Sequence, residues 1–314
     1  MARLIDHPRL LGLVCAAVAA GLGIAYLVAA GAPVRYLVVN LAALVLGCAA
    51  WLGLGRRPFP WNGSAVLFLA VPLAATALFG MPIESASRWV TVGPLSLQVS
   101  LIVLPAIIVL YARRADPIGT TGVLIAALAL AAQPDRAMAG VLVAGTGAIG
   151  LARPGRLGAL AFIGAVAAFA ATMLQPDALP AVPFVDRILY TAFDVHFLAG
   201  VAVGGGCLVL LTPTLSAIRR MPERVVLFAF GASWATLIAA AAIGNYPTPV
   251  VGYGGSAVLG YLLSVALLPG ARHLDPAVDA DRASSQSTIR AAKHPFPPRR
   301  CPPSNLRQRS ASDP

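Results

Sequence analysis

The sequence predicts an all-α polytopic membrane bundle of about ten transmembrane helices, with N- and C-termini both cytoplasmic, and three observations lead there. Hydrophobic residues make up 58% of the 314-residue chain and charged ones only 11%, too little charge for a water-soluble core of this size. Apolar runs long enough to cross a bilayer recur from Leu10 to Leu268. Arginines gather in alternate loops, as a multi-pass chain obeying the positive-inside rule requires.

Apolar runs of about 16 to 24 residues, bounded by charges, Pro or Gly, place spans at 10–31, 36–54, 63–80, 97–112, 118–133, 137–152, 157–174, 188–211, 225–243 and 251–269. The first is too long for a signal-peptide core and leads straight into a second, so it is read as a retained span. The fifth and sixth are short. At about 1.5 Å per residue each reaches about 24 Å against a hydrocarbon core of about 30 Å, which leaves two readings of 118–152: two full spans, or a re-entrant hairpin. Both return the chain to the same side.

With the N-terminus inside, the cytoplasmic loops carry Arg3, Arg9, Arg56, Arg57, Arg113, Arg114, Arg153, Arg156, Arg219, Arg220 and Arg224, and the outer loops only Arg35, Arg88, Arg136 and Arg187. Eleven against four sets the orientation. The transmembrane domain is assigned to 1–270. Residues 271–314 hold eight Arg or Lys against four Asp, with little apolar clustering. Such a segment cannot bury enough surface to offset its ordering entropy, and it is read as a basic disordered cytoplasmic tail attracted to anionic membrane lipid rather than to nucleic acid. Cys15, Cys48 and Cys207 fall within spans and Cys301 in the tail, with no metal spacing or disulfide framework.

Four polar segments fall on the predicted outer face: Glu84 to Gln98, Gln133 to Arg136, Asp177 to Arg187, and Pro247-Thr-Pro249-Val-Val-Gly-Tyr253-Gly254-Gly255-Ser256. The last is a rigid Pro/Gly turn between two apolar spans. Backbone so irregular cannot face lipid, because each unpaired amide or carbonyl would cost several kcal/mol, so it must line a cavity or pack on protein.

Those segments resemble the signatures of the SEDS proteins, the FtsW/RodA/SpoVE group. Arg88-Trp89-Val-Thr-Val-Gly93-Pro94-Leu-Ser-Leu-Gln98-Val-Ser100 is similar to the family's Arg-Trp-Ile-x-Leu-Gly-x-x-x-x-Gln-Pro-Ser-Glu. Pro247 to Ser256 resembles Pro-Leu-Pro-Phe-x-Ser-Tyr-Gly-Gly-Ser, and Gln133-Pro134-Asp135 the start of Gln-Pro-Asp-Leu-Gly-Thr. Asp186, followed by Asp194 and Gly200, resembles a loop aspartate that in the family precedes an acidic pair and a glycine. The matches run in family order, in a short and divergent version: Val99 stands for a proline, Gly252 for a serine, and Gln175 to Val185 replaces a longer loop.

The resemblance implies peptidoglycan glycan polymerisation from lipid II in the bacterial cytoplasmic membrane, with a single-pass class B penicillin-binding protein, a transpeptidase, as partner. It also leaves a non-catalytic alternative, a lipid-linked precursor transporter or a scaffold of cell-wall assembly. On the enzymatic reading Asp186 is the base, or a ligand of a divalent cation, and Arg88, Arg136 and Arg187 meet phosphate, with Gln98, Tyr253 and Ser256 contacting substrate. Trp89, Asp135, Asp194, Pro247, Pro249, Gly254 and Gly255 support them. Each has a bland rival. Asp186 with Arg187 would cap the eighth span, Arg88-Trp89 would be an interfacial anchor, Asp135-Arg136 a turn pair, and the Gly-Gly turn simple packing. Asp194 and His196, within the eighth span, are expected to face the bundle interior.

Overall fold

A computed structural model describes residues 7–55, 62–80, 88–93, 95–175, 180–216 and 224–270. The predicted tail lies outside them, as do Arg3, Arg56, Arg57, Arg219, Arg220 and Cys301. The described chain is helical except for one hairpin and the connecting loops: α1 Pro8–Ala29, α2 Val34–Gly55, α3 Gly63–Phe79, β1 Trp89–Val92, β2 Leu95–Gln98, α4 Val99–Arg113, α5 Pro117–Ala132, α6 Arg136–Ala152, α7 Arg156–Met173, α8 Ile188–Val195, α9 Phe197–Val209, α10 Thr212–Leu215, α11 Arg224–Ile243 and α12 Gly255–Ala266. Four of these, α1, α2, α7 and α11, are long and apolar enough to cross a membrane by length and composition. Helices throughout the bundle leave large apolar side chains exposed, among them Val34 and Val45 of α2, Phe68 of α3, Leu128 of α5, Leu151 of α6 and Ile163 of α7, as a lipid-solvated bundle requires.

The helices begin where polar caps allow. Asp116 accepts from the Gly119 amide at the start of α5 (2.7 Å) and from Gly63 at the start of α3 (3.0 Å), so one carboxylate serves two helix ends. Asp135 accepts from Met138 and opens α6. At one end of the bundle, arginines cap carbonyls: Arg9 and Arg113 donate to Leu268 and Leu267 beyond α12, and Arg153 to Ala112 (3.2 Å). This arginine end carries the sort of charge that favours helix C-termini. The hairpin, the 133–135 turn and the 180–187 and 244–254 loops meet at the opposite, loop end.

The short helices α5 and α6 run the full length of α4. At the arginine end, Tyr111 of α4 meets Thr120 of α5 and the Leu157 carbonyl, both at 3.0 Å. At the loop end, Ser100 of α4 bonds Asp135, in the turn between α5 and α6. The pair therefore runs alongside the whole of α4, though none of the three is among the helices long enough to cross a membrane by length and composition.

The eighth predicted span is broken. His196 takes an extended conformation (φ −169°, ψ 145°) between α8 and α9, and its Nδ1 accepts from the Leu198 amide at 3.1 Å. The expectation that Asp194 and His196 face the interior fails: both are exposed at this break. A backbone interruption supplies the imidazole with a local partner, so it needs none from the bundle.

The core forms where α4, α11 and α12 pack. Trp234 stands edge-on to Tyr261, ring centroids 4.9 Å apart, and donates to Ser264 Oγ at 3.2 Å, while the Tyr261 hydroxyl reaches the Leu210 carbonyl at 2.9 Å. Each ring thus buries its polar tip with a partner. The helices touch through glycine: a Cβ at Gly260 would lie 2.0 Å from the Leu101 carbonyl oxygen.

Candidate functional site

The loop end is assembled from four segments distant in sequence. Val-Thr-Val and Leu-Ser-Leu alternate about Gly93, whose φ of +58° makes the turn, and they pair as an antiparallel hairpin, Trp89 opposite Gln98 and Val92 opposite Leu95. The sequence offered this alternation, but a fourth span from residue 97 absorbed it. The structure starts α4 at Val99 instead.

The Asp186 loop and the Pro/Gly turn are stitched together by their backbones. Asp186 forms an antiparallel bridge with Pro247, Thr248 donates to Val185 (3.0 Å), and Tyr253 donates to Phe184 (2.7 Å). Phe184 and Arg187, on either side of Asp186, both sit in the left-handed region (φ 64° and 58°). Such residues cost about 1–3 kcal/mol each and persist only where surrounding contacts over-determine them. A third element holds the turn from below. Asn40 of α2 donates through Nδ2 to the Gly252 carbonyl (2.9 Å) and accepts at Oδ1 from the Gly254 amide (3.1 Å), bracketing Tyr253. The Tyr253 ring then stacks on Tyr36 at 3.7 Å, and the Arg35 guanidinium lies 5.2 Å from the Tyr36 ring centre.

These segments enclose a cavity of about 430 Å³ at the loop end. Asp186 and Arg88 both line it, with Trp89, Gln98, Pro247, Tyr253, Gly254, Gly255 and Ser256. Asp186 is 8% exposed and Arg88 4%. One Asp186 oxygen accepts from the Val182 amide at 2.8 Å, and an Arg88 Nη donates to the Pro134 carbonyl. Burial pushes the Asp186 carboxyl above the ordinary carboxylate range, and the Val182 amide draws it partly back. Burial also raises the Tyr253 phenol, with Tyr36 adding to the shift and Arg35 opposing it.

Beneath the cavity floor lies a polar network. Asp135, 1% exposed, accepts at Oδ2 from Ser100 Oγ (2.7 Å) and Gln98 Nε2 (3.1 Å), and the Gln98 amide donates to Ser256 Oγ (3.0 Å). With the Met138 amide the buried carboxylate accepts three hydrogen bonds, which makes Asp135 more than half of a turn pair.

Other predicted residues stand elsewhere. Arg136 turns away from the cavity and donates to the Thr172 (3.4 Å) and Gln175 (3.1 Å) carbonyls at the end of α7. Arg187 is exposed and lines a neighbouring, more open concavity of about 420 Å³ with Tyr190, Ile243, Gly244 and Asn245, the last of which also lines the cavity. Pro249 is buried behind the turn, and Asp194 lies at the helix break. The sequence reading missed Asn40, Ser100, Tyr36 and Thr248. Only Ser100 and Thr248 carried a signal, being embedded in quoted motifs.

As for a divalent cation, among the described residues no cluster of three metal-ligating side chains exists and Asp186 is the one carboxylate that lines the cavity.

The fold and its loop-end cavity define a polytopic helical membrane protein. Its architecture is that of the SEDS protein RodA, in line with the motif resemblance: the chain matches the rod shape determining protein RodA of Thermus thermophilus with a TM-score of 0.60 and 21% identity, over 82% of this chain and 94% of that one. An aspartate-to-alanine mutant of that RodA gives 0.61 and 20% over the same shares. At such identities the likeness is one of fold. No protein-family model matches the chain, and no curated protein matches it in sequence.

Proposed function

We propose that the protein is a peptidoglycan glycosyltransferase that polymerises lipid II at the outer face of the bacterial cytoplasmic membrane, in cell division or cell-shape maintenance. One observation carries the reading: a buried carboxylate, Asp186, and a buried guanidinium, Arg88, line a single cavity though they come from different loops. The RodA fold supports the same setting.

The chemistry is a displacement at an anomeric carbon. A sugar hydroxyl of one lipid-linked glycan attacks that carbon in another. The new carbon–oxygen bond forms as the bond to undecaprenyl pyrophosphate breaks, and the leaving group departs with the electron pair. The hydroxyl proton passes to Asp186, whose raised carboxyl pKa brings it nearer the working pH of a general base. Arg88 faces the accumulating pyrophosphate charge, which a guanidinium meets in bidentate geometry. Trp89 and Tyr253 supply apolar surface beside both groups, and a class B penicillin-binding protein would crosslink the product.

A second reading, transport or scaffolding, is favoured by the short Gln175 to Val185 segment before Asp186. Reconstitution separates the two. Given labelled lipid II, alone and with a class B penicillin-binding protein, the wild type should build glycan ladders and Asp186→Asn should lose them by about 10²- to 10⁴-fold in rate. Unchanged ladders in the variant reject Asp186 as base, and none from the wild type under either condition favour the second reading.

A further inference from the structure

Glycosyl transfer needs two lipid-linked molecules at once, one whose hydroxyl attacks and one whose pyrophosphate leaves, and each carries its own phosphates. The Asp186–Arg88 cavity holds about 430 Å³, near the lower end of the range of about 300–1,000 Å³ that takes one small ligand. Among the described residues, Arg88 is the one arginine in its lining. A second phosphate group needs a second place.

The concavity lined by Arg187 lies where that place is required. It holds about 420 Å³ and shares Asn245 with the cavity, so the two stand side by side. Asp186 and Arg187 are consecutive residues that line different concavities, with Arg187 held in the left-handed region at φ 58°. A sugar that runs from a phosphate at Arg187 past Asn245 therefore approaches the carboxylate that takes its proton.

Arg187 is also the unused cation of the loop end. Arg35 lies over the Tyr36 ring, Arg88 donates to Pro134, and Arg136 donates to Thr172 and Gln175. Among the described residues, no hydrogen bond, ion pair or ring contact engages the Arg187 guanidinium. An arginine beside the end of α11 would ordinarily cap its carbonyls. Two of these have other donors: the Tyr190 hydroxyl donates to Ala242 (2.8 Å) and the Gly244 amide to Ala240 (2.9 Å). Those bonds also offset the partial negative charge that a helix C-terminus would turn on an anion. The Tyr190 bond ties α8 to α11 and so fixes the wall of the concavity. Its rim is apolar, with Ile243 86% exposed and Tyr190 54%, surface that a polyprenyl chain can cover while its phosphates reach the guanidinium.

We infer that the Arg187 concavity is the phosphate subsite of the acceptor, the lipid-linked glycan whose hydroxyl attacks, distinct from the Arg88 subsite that meets the leaving pyrophosphate. The inference rests on the glycosyltransferase reading for its ligand and adds a second binding site to it.

The test counts undecaprenyl pyrophosphate molecules bound to the full-length protein in nanodiscs of zwitterionic lipid, by native mass spectrometry across a titration. Wild type should bind two per chain. Arg187→Gln should hold the second about tenfold more weakly and the first unchanged, and Arg187→Lys, which keeps the charge, should still take two. Ligand-free Arg187→Gln should unfold at the wild-type temperature, since the guanidinium it removes is exposed and unbonded. A single bound molecule in wild type, or two held equally well by wild type and Arg187→Gln, overturns the inference and leaves the glycosyltransferase reading intact. Loss of the second molecule on adding phosphatidylglycerol to the nanodiscs assigns the concavity to bulk phospholipid headgroups and overturns the acceptor assignment. A wild type that binds none overturns both readings.

Discussion

Asn40→Leu is the sharpest structural perturbation of the site, because a single side chain holds the Pro/Gly turn from another helix. Asn40 is 1% exposed and makes two hydrogen bonds to the turn, 2.9 Å to Gly252 and 3.1 Å from Gly254. Leucine keeps the branched outline of asparagine but is bulkier, so the bonds are removed together with some overpacking. Each backbone group stranded in the interior costs about 1–3 kcal/mol, about 2–6 kcal/mol for the pair, and burial of the leucine offsets part of that, leaving an expected loss of about 1–4 kcal/mol. Equilibrium unfolding in mixed micelles measures the loss. Hydrogen exchange over residues 250–258 locates it, since the Gly254 amide should exchange faster in the variant. Unchanged stability together with unchanged Gly254 exchange would refute the clamp and the argument that it fixes Tyr253 beside Tyr36.

Three further outcomes are expected. Gly260→Val should destabilise the bundle by several kcal/mol (about 3 or more), because even a Cβ there would sit 2.0 Å from the Leu101 carbonyl oxygen; thermal unfolding checks this. Arg136→Gln should lower stability modestly, about 1 kcal/mol, yet leave lipid II affinity unchanged, because its guanidinium serves α7 carbonyls. For Asp186, the folded carboxyl titrates above its unfolded value, so its contribution to stability is full below the unfolded pKa and is lost as pH rises through the folded one. Wild type should therefore lose stability relative to Asp186→Asn across that window, while polymerisation, which needs the carboxylate, rises over the same window; stability and rate moving together would contradict the assignment.

Much of the bundle was legible because lipid imposes one rule on every span. Ten apolar runs coincide with helical segments, and most limits agree within three residues, as with 63–80 against Gly63–Phe79 and 225–243 against Arg224–Ile243. The break at His196 was hidden because both halves of 188–211 are equally apolar, and hydropathy reports composition rather than backbone continuity. Asn40 was invisible for a related reason: one amide in an apolar run says nothing of partners more than 200 residues away. Cavity residues were legible where a motif carried them, as with Arg88, Gln98, Asp186 and Ser256. Side-chain direction was not. Arg136 and Arg187 share the outer face with Arg88 in sequence terms, but a long side chain can bend to carbonyls or solvent, and neighbours that only folding supplies decide which.

Photocrosslinking tests most directly whether the Asp186–Arg88 cavity is where substrate binds. Lipid II bearing a diazirine on its disaccharide, bound to the full-length protein in nanodiscs and mapped by mass spectrometry, should label the Leu95 to Gln98, Val182 to Asp186 and Tyr246 to Ser256 segments, and excess unlabelled lipid II should suppress that labelling. Labelling confined to the Tyr190 and Ile243 concavity, or to the outward faces of α2 and α3, would contradict it.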